Sequence, residues 1–144
     1  MKKPYKIGYT TGVFDMFHVG HLNILRRAKE QCEYLIVGVS TDALAEEYKK
    51  KYPIICQENR FEIVQAIRYV DRVVWQEDMN KYAAWEQLRF DALFHGDDWE
   101  NSALYEEYKK TFGKIGVKLV FLPHTKGVSS TIIRQQIGKK AHEE

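Results

Sequence analysis

The chain has 144 residues, of which 44% are hydrophobic and 29% are charged, with three prolines and nine glycines. This length is typical of one domain with one core, and the composition excludes a disordered or fibrous protein. The formal net charge is +2 with both signs interspersed, which argues against a long nucleic-acid partner and favours a basic pocket over a basic face.

Strand patterns and helix patterns alternate along the chain. The first strand is predicted at Tyr5–Thr10, and a helix follows at His18–Gln31. The apolar run Tyr34–Val39 is typical of a strand that is covered on both faces. The other predicted elements are a short helix capped by residues 40–42, helices at Glu58–Arg68, 80–89, 101–113 and Ser130–Lys139, strands at Arg72–Trp75, Ala92–Phe94 and Val117–Leu122, and a frayed end at Ala141–Glu144.

This alternation predicts an α/β fold: a Rossmann-like parallel sheet with helices on both faces, in a single domain at 1–140 with a frayed tail at 141–144. Such sheets bind ligands at the carboxyl ends of their strands. Three polar loops follow predicted strands, namely TTGVFDMFHVGH, HGDDW and PHTKGVSST. We therefore expect the three loops to form one site.

Localisation is predicted from the apolar runs of the sequence. The N-terminal stretch MKKPYKIGYTTG is basic but has no apolar run of signal-peptide length, and no stretch approaches a membrane span. The chain is therefore expected to stay in the cytoplasm. Cys32 and Cys56 form no CxxC pattern and are predicted to be buried free thiols.

The segment TTGVFDMFHVGH has the features of a phosphate-binding loop. Gly12 allows a ligand to approach the backbone closely, while His18 and His21 lie on one side of a first helical turn with Gly20 between them. Free N–H groups at the helix N-terminus and imidazole donors both favour an anion such as a phosphate chain. Two alternatives stay open: a zinc site, which would need further ligands, and ordinary surface histidines.

The same segment resembles the T-x-G-x-F-D-x-x-H-x-G-H signature of the cytidylyltransferase branch of the nucleotidyltransferase superfamily. GVSSTIIR resembles the second signature of these enzymes, I-S-[ST]-T, in a form that ends in arginine as in related adenylyltransferases. AIRYVDRVV and HGDDWE are most similar to the small bacterial glycerol-3-phosphate cytidylyltransferases. The resemblance covers about residues 5–137, with the four motifs in the order and spacing of that family.

The resemblance implies a homodimeric enzyme that joins CTP to a phosphorylated alcohol, with glycerol 3-phosphate as the expected acceptor. The products would be CDP-glycerol, for cell-surface polysaccharides, and pyrophosphate. It implies Mg²⁺ with the nucleoside triphosphate but no metal site built from the protein, and neither nucleic-acid binding nor membrane insertion. Other readings stay open: another acceptor such as phosphocholine, phosphoethanolamine or a sugar phosphate, ATP in place of CTP, or a non-catalytic nucleotide-binding protein.

The resemblance also assigns roles to individual residues. The implied catalytic residues are His18, His21, Lys51 and Arg134. The implied nucleotide-binding residues are Thr10, Thr11, Gly12, Val13, Phe14, Asp15, His18, Gly20, His21, Asp97, His124, Thr125, Gly127, Val128, Ser129, Ser130 and Thr131. The implied acceptor-binding residues are Lys49, Lys51, Arg68 and Trp99.

Structural roles are open for several of these residues. Ser129 or Ser130 can cap a helix, and Trp99 can belong to the core. The three consecutive lysines at 49–51 can form a solvated face, and Asp71 in the RYVD motif can be structural.

The chain departs from the family pattern at His124, where cytidylyltransferases usually have the arginine of R-T-x-G. Arginine carries a permanent charge and five donors, whereas histidine is shorter and mostly neutral at pH 7. Base or phosphate recognition could therefore differ, unless Lys126 supplies the charge. The segment YPIICQEN is also more apolar than a pocket for glycerol phosphate requires, which leaves the acceptor open.

Overall fold

The computed structural model describes residues 3–49, 51–97 and 100–143, which form five strands and six helices. In chain order the elements are β1 Tyr5–Gly12, α1 Val19–Gln31, β2 Cys32–Ser40, α2 Asp42–Lys49, α3 Gln57–Gln65, β3 Arg72–Gln76, α4 Lys81–Leu88, β4 Ala92–Gly96, α5 Ala103–Gly113, β5 Lys118–Leu122 and α6 Ser130–Glu143. Within these residues, no helix combines the length and apolar character that crossing a membrane would require.

Every predicted element is present, and the predicted α/β class is confirmed. Two helix ends differ from the prediction by three or more residues. Helix α3 ends at Gln65 because the N–H of Ile67 donates to the carbonyl of Val64, which tightens the chain out of α-helical geometry although the apolar pattern continues to Ile67. Helix α6 runs beyond Lys139 to Glu143 and includes the residues from Ala141 that we expected to fray, while Glu144 lies outside the described residues. Good helix formers without a proline explain the longer helix.

The five strands form one parallel sheet in the order β3-β2-β1-β4-β5. Strand β1 lies at the centre, where Thr10 pairs with Val37 of β2 on one side and Phe94 of β4 on the other. The chain builds the sheet outward from β1 in one direction, then returns to build β4 and β5 in the other. The carboxyl ends of β1 and β4 therefore flank the switch point at which such sheets bind ligands.

Alternate residues of β2 build the cores on the two faces of the sheet. Leu35 and Val37 pack with Leu25 of α1 in one cluster, whereas Ile36 packs with Phe112 of α5 in the other. This accounts for the continuous apolar run in β2, because both faces of the strand are covered. Both cysteines are free as predicted, but only Cys32 is buried; Cys56 is exposed, since it lies at the N-cap of α3.

Candidate active site

A cavity of about 400 Å³ opens at the carboxyl ends of β1 and β4 and brings together the three polar loops. The predicted site residues that line it are Thr10, Thr11, Gly12, Val13, Phe14, Asp15, His18, Gly20, His21, Lys49, Lys51, His124, Thr125, Val128, Ser129, Ser130, Thr131 and Arg134. Sequence reasoning did not assign the other lining residues, which are Ile24, Ala45, Pro53, His95 and Gly96.

Three predicted site residues in the described part of the chain do not line this cavity. Asp97 lies beside it, bound to His124. Gly127 lies in the turn before α6, where its φ of +84° is one that glycine adopts without strain. Arg68 is exposed and contacts Tyr69, and Trp99 lies outside the described residues.

His18 and His21 form a stacked pair at the start of α1. The Nδ1 atom of His18, the N-cap residue, accepts the N–H of Gly20 at 3.0 Å, and the backbone N–H of His18 donates to Nδ1 of His21 at 3.2 Å. The two ring centroids are 3.8 Å apart. Because both Nδ1 atoms are acceptors, each neutral imidazole carries its proton on Nε2. The local backbone thus turns both rings into Nε2–H donors.

The pKa values of both imidazoles favour this neutral state. Burial lowers the pKa of His18 below its usual value. Burial also lowers the pKa of His21, to about 3, with smaller contributions from the charges of His18 and Lys49. Such groups are poor general bases at pH 7 and serve better as neutral hydrogen-bond donors. Among the described residues, no group of three His, Cys, Asp or Glu side chains could hold a metal ion.

Gly20 makes room for the His18 ring. A Cβ atom at position 20 would lie 2.8 Å from Cε1 of His18, which is closer than carbon atoms can approach without displacement. We expect Gly20→Ala to lower kcat by about a hundredfold, the order of loss that a displacement of about 1 Å can produce. Steady-state kinetics with a thermal melt measure the effect.

The matched control for this prediction is Gly113→Ala. Gly113 ends α5, and a Cβ there meets no described atom within 4 Å. Alanine also favours helices over glycine by about 1 kcal/mol, so neither variant should lose stability through helix propensity. A kcat for Gly20→Ala within twofold of that for Gly113→Ala would contradict the proposed packing of His18.

Asp15 joins the first loop to the segment that follows Lys51. Its carboxylate accepts the N–H groups of Ile54 and Ile55, each at 2.9 Å, and a hydrogen bond from Arg134 Nη2 at 2.6 Å. Burial alone would raise the pKa of this carboxyl, but these three donors outweigh burial and lower the pKa. Asp15 therefore acts in this arrangement as an anchor for two chain segments.

Arg134 connects α6 to the same segment. Its Nη2 atom donates to Asp15 and, at 3.3 Å, to the carbonyl of Tyr52. Lys51 and Pro53, which flank Tyr52, line the cavity. Arg134, which is predicted to bind phosphate, therefore also supports the cavity wall that contains Lys51, a predicted acceptor-binding residue.

Ser129 and Ser130, which precede Thr131, both form hydrogen bonds within the protein. The Oγ atom of Ser129 accepts the N–H of Ile132 at 3.0 Å, so Ser129 caps α6. The hydroxyl of Ser130 donates to the carbonyl of Asp15 at 2.6 Å. Both residues still line the cavity, so the capping role and a predicted contact with nucleotide are compatible.

His124 and Asp97 join the loops that follow β4 and β5. Nδ1 of His124 lies 2.8 Å from Oδ1 of Asp97. The hydrogen bond with His124 is the main reason that the pKa of Asp97 is lowered. The side chain that we expect to replace an arginine of the family is therefore in contact with the first aspartate of HGDDW.

Lys49 and Lys51 contribute positive charge to the cavity, and both line it. Lys50 lies outside the described residues, so the structure describes only the first and the last of the three consecutive lysines. The charge of Lys49 lowers the pKa of His21, which places the ammonium group within electrostatic range of the stacked pair. With Arg134, the cavity has three cationic side chains that favour an anionic ligand.

His95 is a site residue that sequence reasoning missed. It is the penultimate residue of β4, and the N–H of Gly96 donates to its Nδ1 at 2.9 Å, so the neutral ring carries its proton on Nε2. Burial, followed by the charges of Lys81 and Lys49, lowers the pKa of His95 to about 3. The signal in the sequence was its position at the end of a strand, directly before the glycine of HGDDW.

Arg60 supports the site from behind. Only 1% of Arg60 is exposed, and its guanidinium donates to the carbonyls of Val13, Ser40 and Ile55 and to the carboxylate of Asp42. These acceptors lie just after β1, at the junction of β2 and α2, and just before α3, so one side chain joins three segments around the cavity. Nothing in the sequence distinguishes this arginine from a solvent-exposed residue of an amphipathic helix.

Comparison with known proteins connects these features to a family. The family model described as Cytidylyltransferase-like matches residues 9–136. Glycerol-3-phosphate cytidylyltransferase of Bacillus subtilis (strain 168) is 38% identical over 136 residues, which cover 89% of this chain and 94% of that protein. Ethanolamine-phosphate cytidylyltransferase of Dictyostelium discoideum is 35% identical over 136 residues, covering 90% of this chain and 36% of that protein.

A solved structure supports the fold. The lipopolysaccharide core biosynthesis protein from Thermoplasma volcanium GSS1 superimposes with a TM-score of 0.71 at 22% sequence identity, covering 86% of this chain and 99% of that protein. At this identity the likeness concerns the fold alone.

Proposed function

The chain belongs to the cytidylyltransferase-like family, and from this membership we infer that it transfers the cytidylyl group of CTP to a phosphorylated alcohol. The observation that carries the proposal is the stacked pair His18 and His21, with both Nε2–H donors in a cavity that Lys49, Lys51 and Arg134 also line. Such a set of donors and charges suits a triphosphate and a second phosphate bound together.

In the proposed reaction, an oxygen of the acceptor phosphate attacks the α-phosphorus of CTP. A bond forms between that oxygen and phosphorus, the bond from the α-phosphorus to the bridging oxygen breaks, and its electron pair leaves with pyrophosphate. An ionised phosphate is already a nucleophile, so no general base and no covalent enzyme intermediate are required. The protein aligns the two anions and stabilises charge in the transition state.

Charge and geometry support the individual roles that we propose. His18 and His21 donate to oxygens of the reacting phosphates, and their low pKa values keep them neutral donors. Arg134 and Thr131, on the first turns of α6, face the β- and γ-phosphates, and Lys51 and Lys49 serve the acceptor phosphate. Arg68 and Trp99 stay predicted acceptor contacts.

We propose glycerol 3-phosphate as the acceptor and CDP-glycerol as the product. The support is the activity for which the Bacillus subtilis relative is named, and that relative aligns over nearly its whole length. Phosphoethanolamine is the second candidate because of the Dictyostelium discoideum relative.

Mg²⁺ is the proposed cofactor, bound to the triphosphate. The described carboxylates nearest the cavity are engaged, Asp15 with Arg134 and Asp97 with His124, and no described metal-ligand cluster exists. The donor set therefore fits a cation that phosphate oxygens hold. When bound, Mg²⁺ would neutralise charge on the triphosphate and the leaving pyrophosphate.

The proposal is tested by pyrophosphate release over a matrix of four nucleotides and a panel of phosphorylated alcohols, with and without excess chelator. We expect CTP with glycerol 3-phosphate to give the highest kcat/KM and chelation to abolish turnover. A preference for phosphoethanolamine or ATP would replace the assigned substrate. Absence of turnover with every pair would favour a non-catalytic nucleotide-binding protein.

We also propose that the enzyme is a cytoplasmic homodimer, since its nucleotide substrate is held in the cytoplasm. Strand β3 is an edge of the sheet in the described residues and presents Trp75, which is 39% exposed and packs against the ring of Phe61. Arg68 lies in the segment just before this strand, so pairing of two protomers at this edge would bring Arg68 of one protomer towards the active site of the other. Analytical ultracentrifugation measures the oligomeric state, and a monomer at micromolar concentration would contradict the proposal.

A further inference from the structure

A buried lysine lies directly behind the cavity wall. Lys81 begins α4 and is only 2% exposed, although lysine is almost never fully buried without a compensating partner. No ion pair joins its Nζ to a carboxylate in the described part of the chain. Instead, Nζ donates a hydrogen bond to Oγ1 of Thr11, which lines the cavity. Burying a lysine in this way costs stability, so a functional benefit is expected.

The bond connects α4 to the switch point of the sheet. Thr11 is the penultimate residue of β1 and is 8% exposed, and its neighbour Gly12 also lines the cavity. Lys81 further lowers the pKa of His95, at the end of β4, through its charge. The ammonium group is thus within electrostatic range of both strand ends that flank the site.

We propose that Lys81 is a positioning residue for the nucleotide: it holds Thr11 at the end of β1 and supplies a positive charge behind the wall against which a nucleoside triphosphate binds. This inference rests on the proposed function, because it assumes that the cavity binds CTP. It adds a second layer of positive charge to the three cations that line the cavity. Because Lys81 is buried, solvent screens its charge less than it screens the charge of a surface lysine.

The surroundings of Lys81 make its charge sensitive to a bound anion. Burial lowers its pKa to about 7, and the charge of Asp78 opposes this effect. A bound triphosphate favours the charged ammonium, so CTP binding raises the pKa of Lys81 and takes up protons. The titratable groups that surround it on the neighbouring elements are Tyr9 on β1, Glu77 and Asp78 before α4, His95 on β4 and Tyr108 on α5.

The affinity for CTP depends on pH because it depends on whether Lys81 is charged. Below about pH 7 Lys81 is already charged in the free protein, and its contribution to CTP affinity is fully present. As the pH rises above 7, the free protein loses this proton and CTP affinity falls. A variant without the ammonium group lacks this part of the pH dependence, whereas the protons bound by CTP itself affect both proteins equally.

The experiment is calorimetric titration of the full chain with CTP and Mg²⁺ at pH 7 and pH 9. We expect Lys81→Met to raise the Kd for CTP about tenfold at pH 7 and by a smaller factor at pH 9. The thermal midpoint should be unchanged or higher, because an apolar side chain of similar length replaces a buried charge. Lys6→Met is the matched control: it removes an exposed lysine from the start of β1, and its Kd should equal that of the wild type.

A double-mutant cycle tests the link to Thr11. Thr11→Val removes the hydroxyl that Lys81 binds, so the effects of Lys81→Met and Thr11→Val on Kd should be less than multiplicative in the double variant. A Kd for Lys81→Met within twofold of the wild type, or multiplicative effects in the cycle, would overturn the inference alone. If the wild type binds no CTP, both the proposed function and this inference fail.

Discussion

Replacement of His18 or His21 by alanine is expected to lower kcat by at least about a hundredfold. Each substitution removes an Nε2–H donor at the point where charge develops on the reacting phosphate, and one such donor contributes about 3 kcal/mol to the transition state. KM should change less than kcat, because the lost interaction is strongest in the transition state. Single-turnover rates at saturating CTP measure the effect.

His18→Asn separates the catalytic role from the structural one. His18 caps α1 by accepting the N–H of Gly20, and loss of such a cap costs about 1 kcal/mol of stability. Asparagine is among the best N-cap residues, so it retains this acceptor but lacks the donor at the Nε2 position. A His18→Asn variant that folds like the wild type and keeps more than a tenth of its kcat would refute the donor assignment.

Asp15→Asn is expected to lower the free energy of unfolding by about 3 kcal/mol, since it leaves a partly buried arginine without its carboxylate. The amide offers one acceptor where the carboxylate received three donors. We also expect the acceptor KM to rise about tenfold, because Ile54 and Ile55 follow directly on the wall that contains Lys51. Urea unfolding and steady-state kinetics measure the two effects.

Asp91→Asn is the matched control for this substitution. Asp91 also accepts a backbone N–H, that of Ile7 at 3.0 Å, but it is exposed and lies before β4, at the opposite end of the sheet from the cavity. We expect its variant to lose less than about 1 kcal/mol and to keep its acceptor KM. Equal losses in the two variants would show that Asp15 has no special anchoring role.

The pH dependence of stability provides an independent measure of the Asp15 contacts. Its pKa is lowered in the folded chain, so its contribution is fully present above the unfolded value of about 4 and is lost as the pH falls through the folded value. The wild type should therefore lose stability on acidification more steeply than Asp15→Asn. Parallel acid-unfolding curves would contradict this assignment.

The sheet was predictable because β2 is apolar on both faces and helix patterns separate the strands. The spacing of polar loops after strands also predicted which segments surround the cavity, and Gly12, Ser129 and Arg134 do line it. Helix ends were less predictable. The apolar pattern of α3 continues past the point where hydrogen bonding changes at Ile67, and a pattern of side chains does not report a change of backbone geometry.

The supporting residues of the site were not predictable from the sequence. Arg60 and Lys81 have the spacing of solvent-exposed helix residues, and their burial depends on carbonyl and hydroxyl groups that distant segments bring to them. For the segment YPIICQEN, the sequence draws attention to the apolar side chains and to the acceptor that they would suit. Its contact with Asp15 instead uses the backbone N–H groups of Ile54 and Ile55, which every sequence except proline provides, while the side chain of Ile54 is 59% exposed.

We expect the buried guanidinium of Arg60 to couple the opening of the loop after β1 to that of the end of β2. Its bonds span 47 residues to Val13 and 20 residues to Ser40, so neither strand end can detach without disrupting contacts at the other. These segments should therefore exchange their amide hydrogens as one cooperative unit, with protection close to that of the central strands. Most of the ordering entropy of the loop is then lost during folding, so a ligand that arrives at this loop binds a backbone that is already ordered.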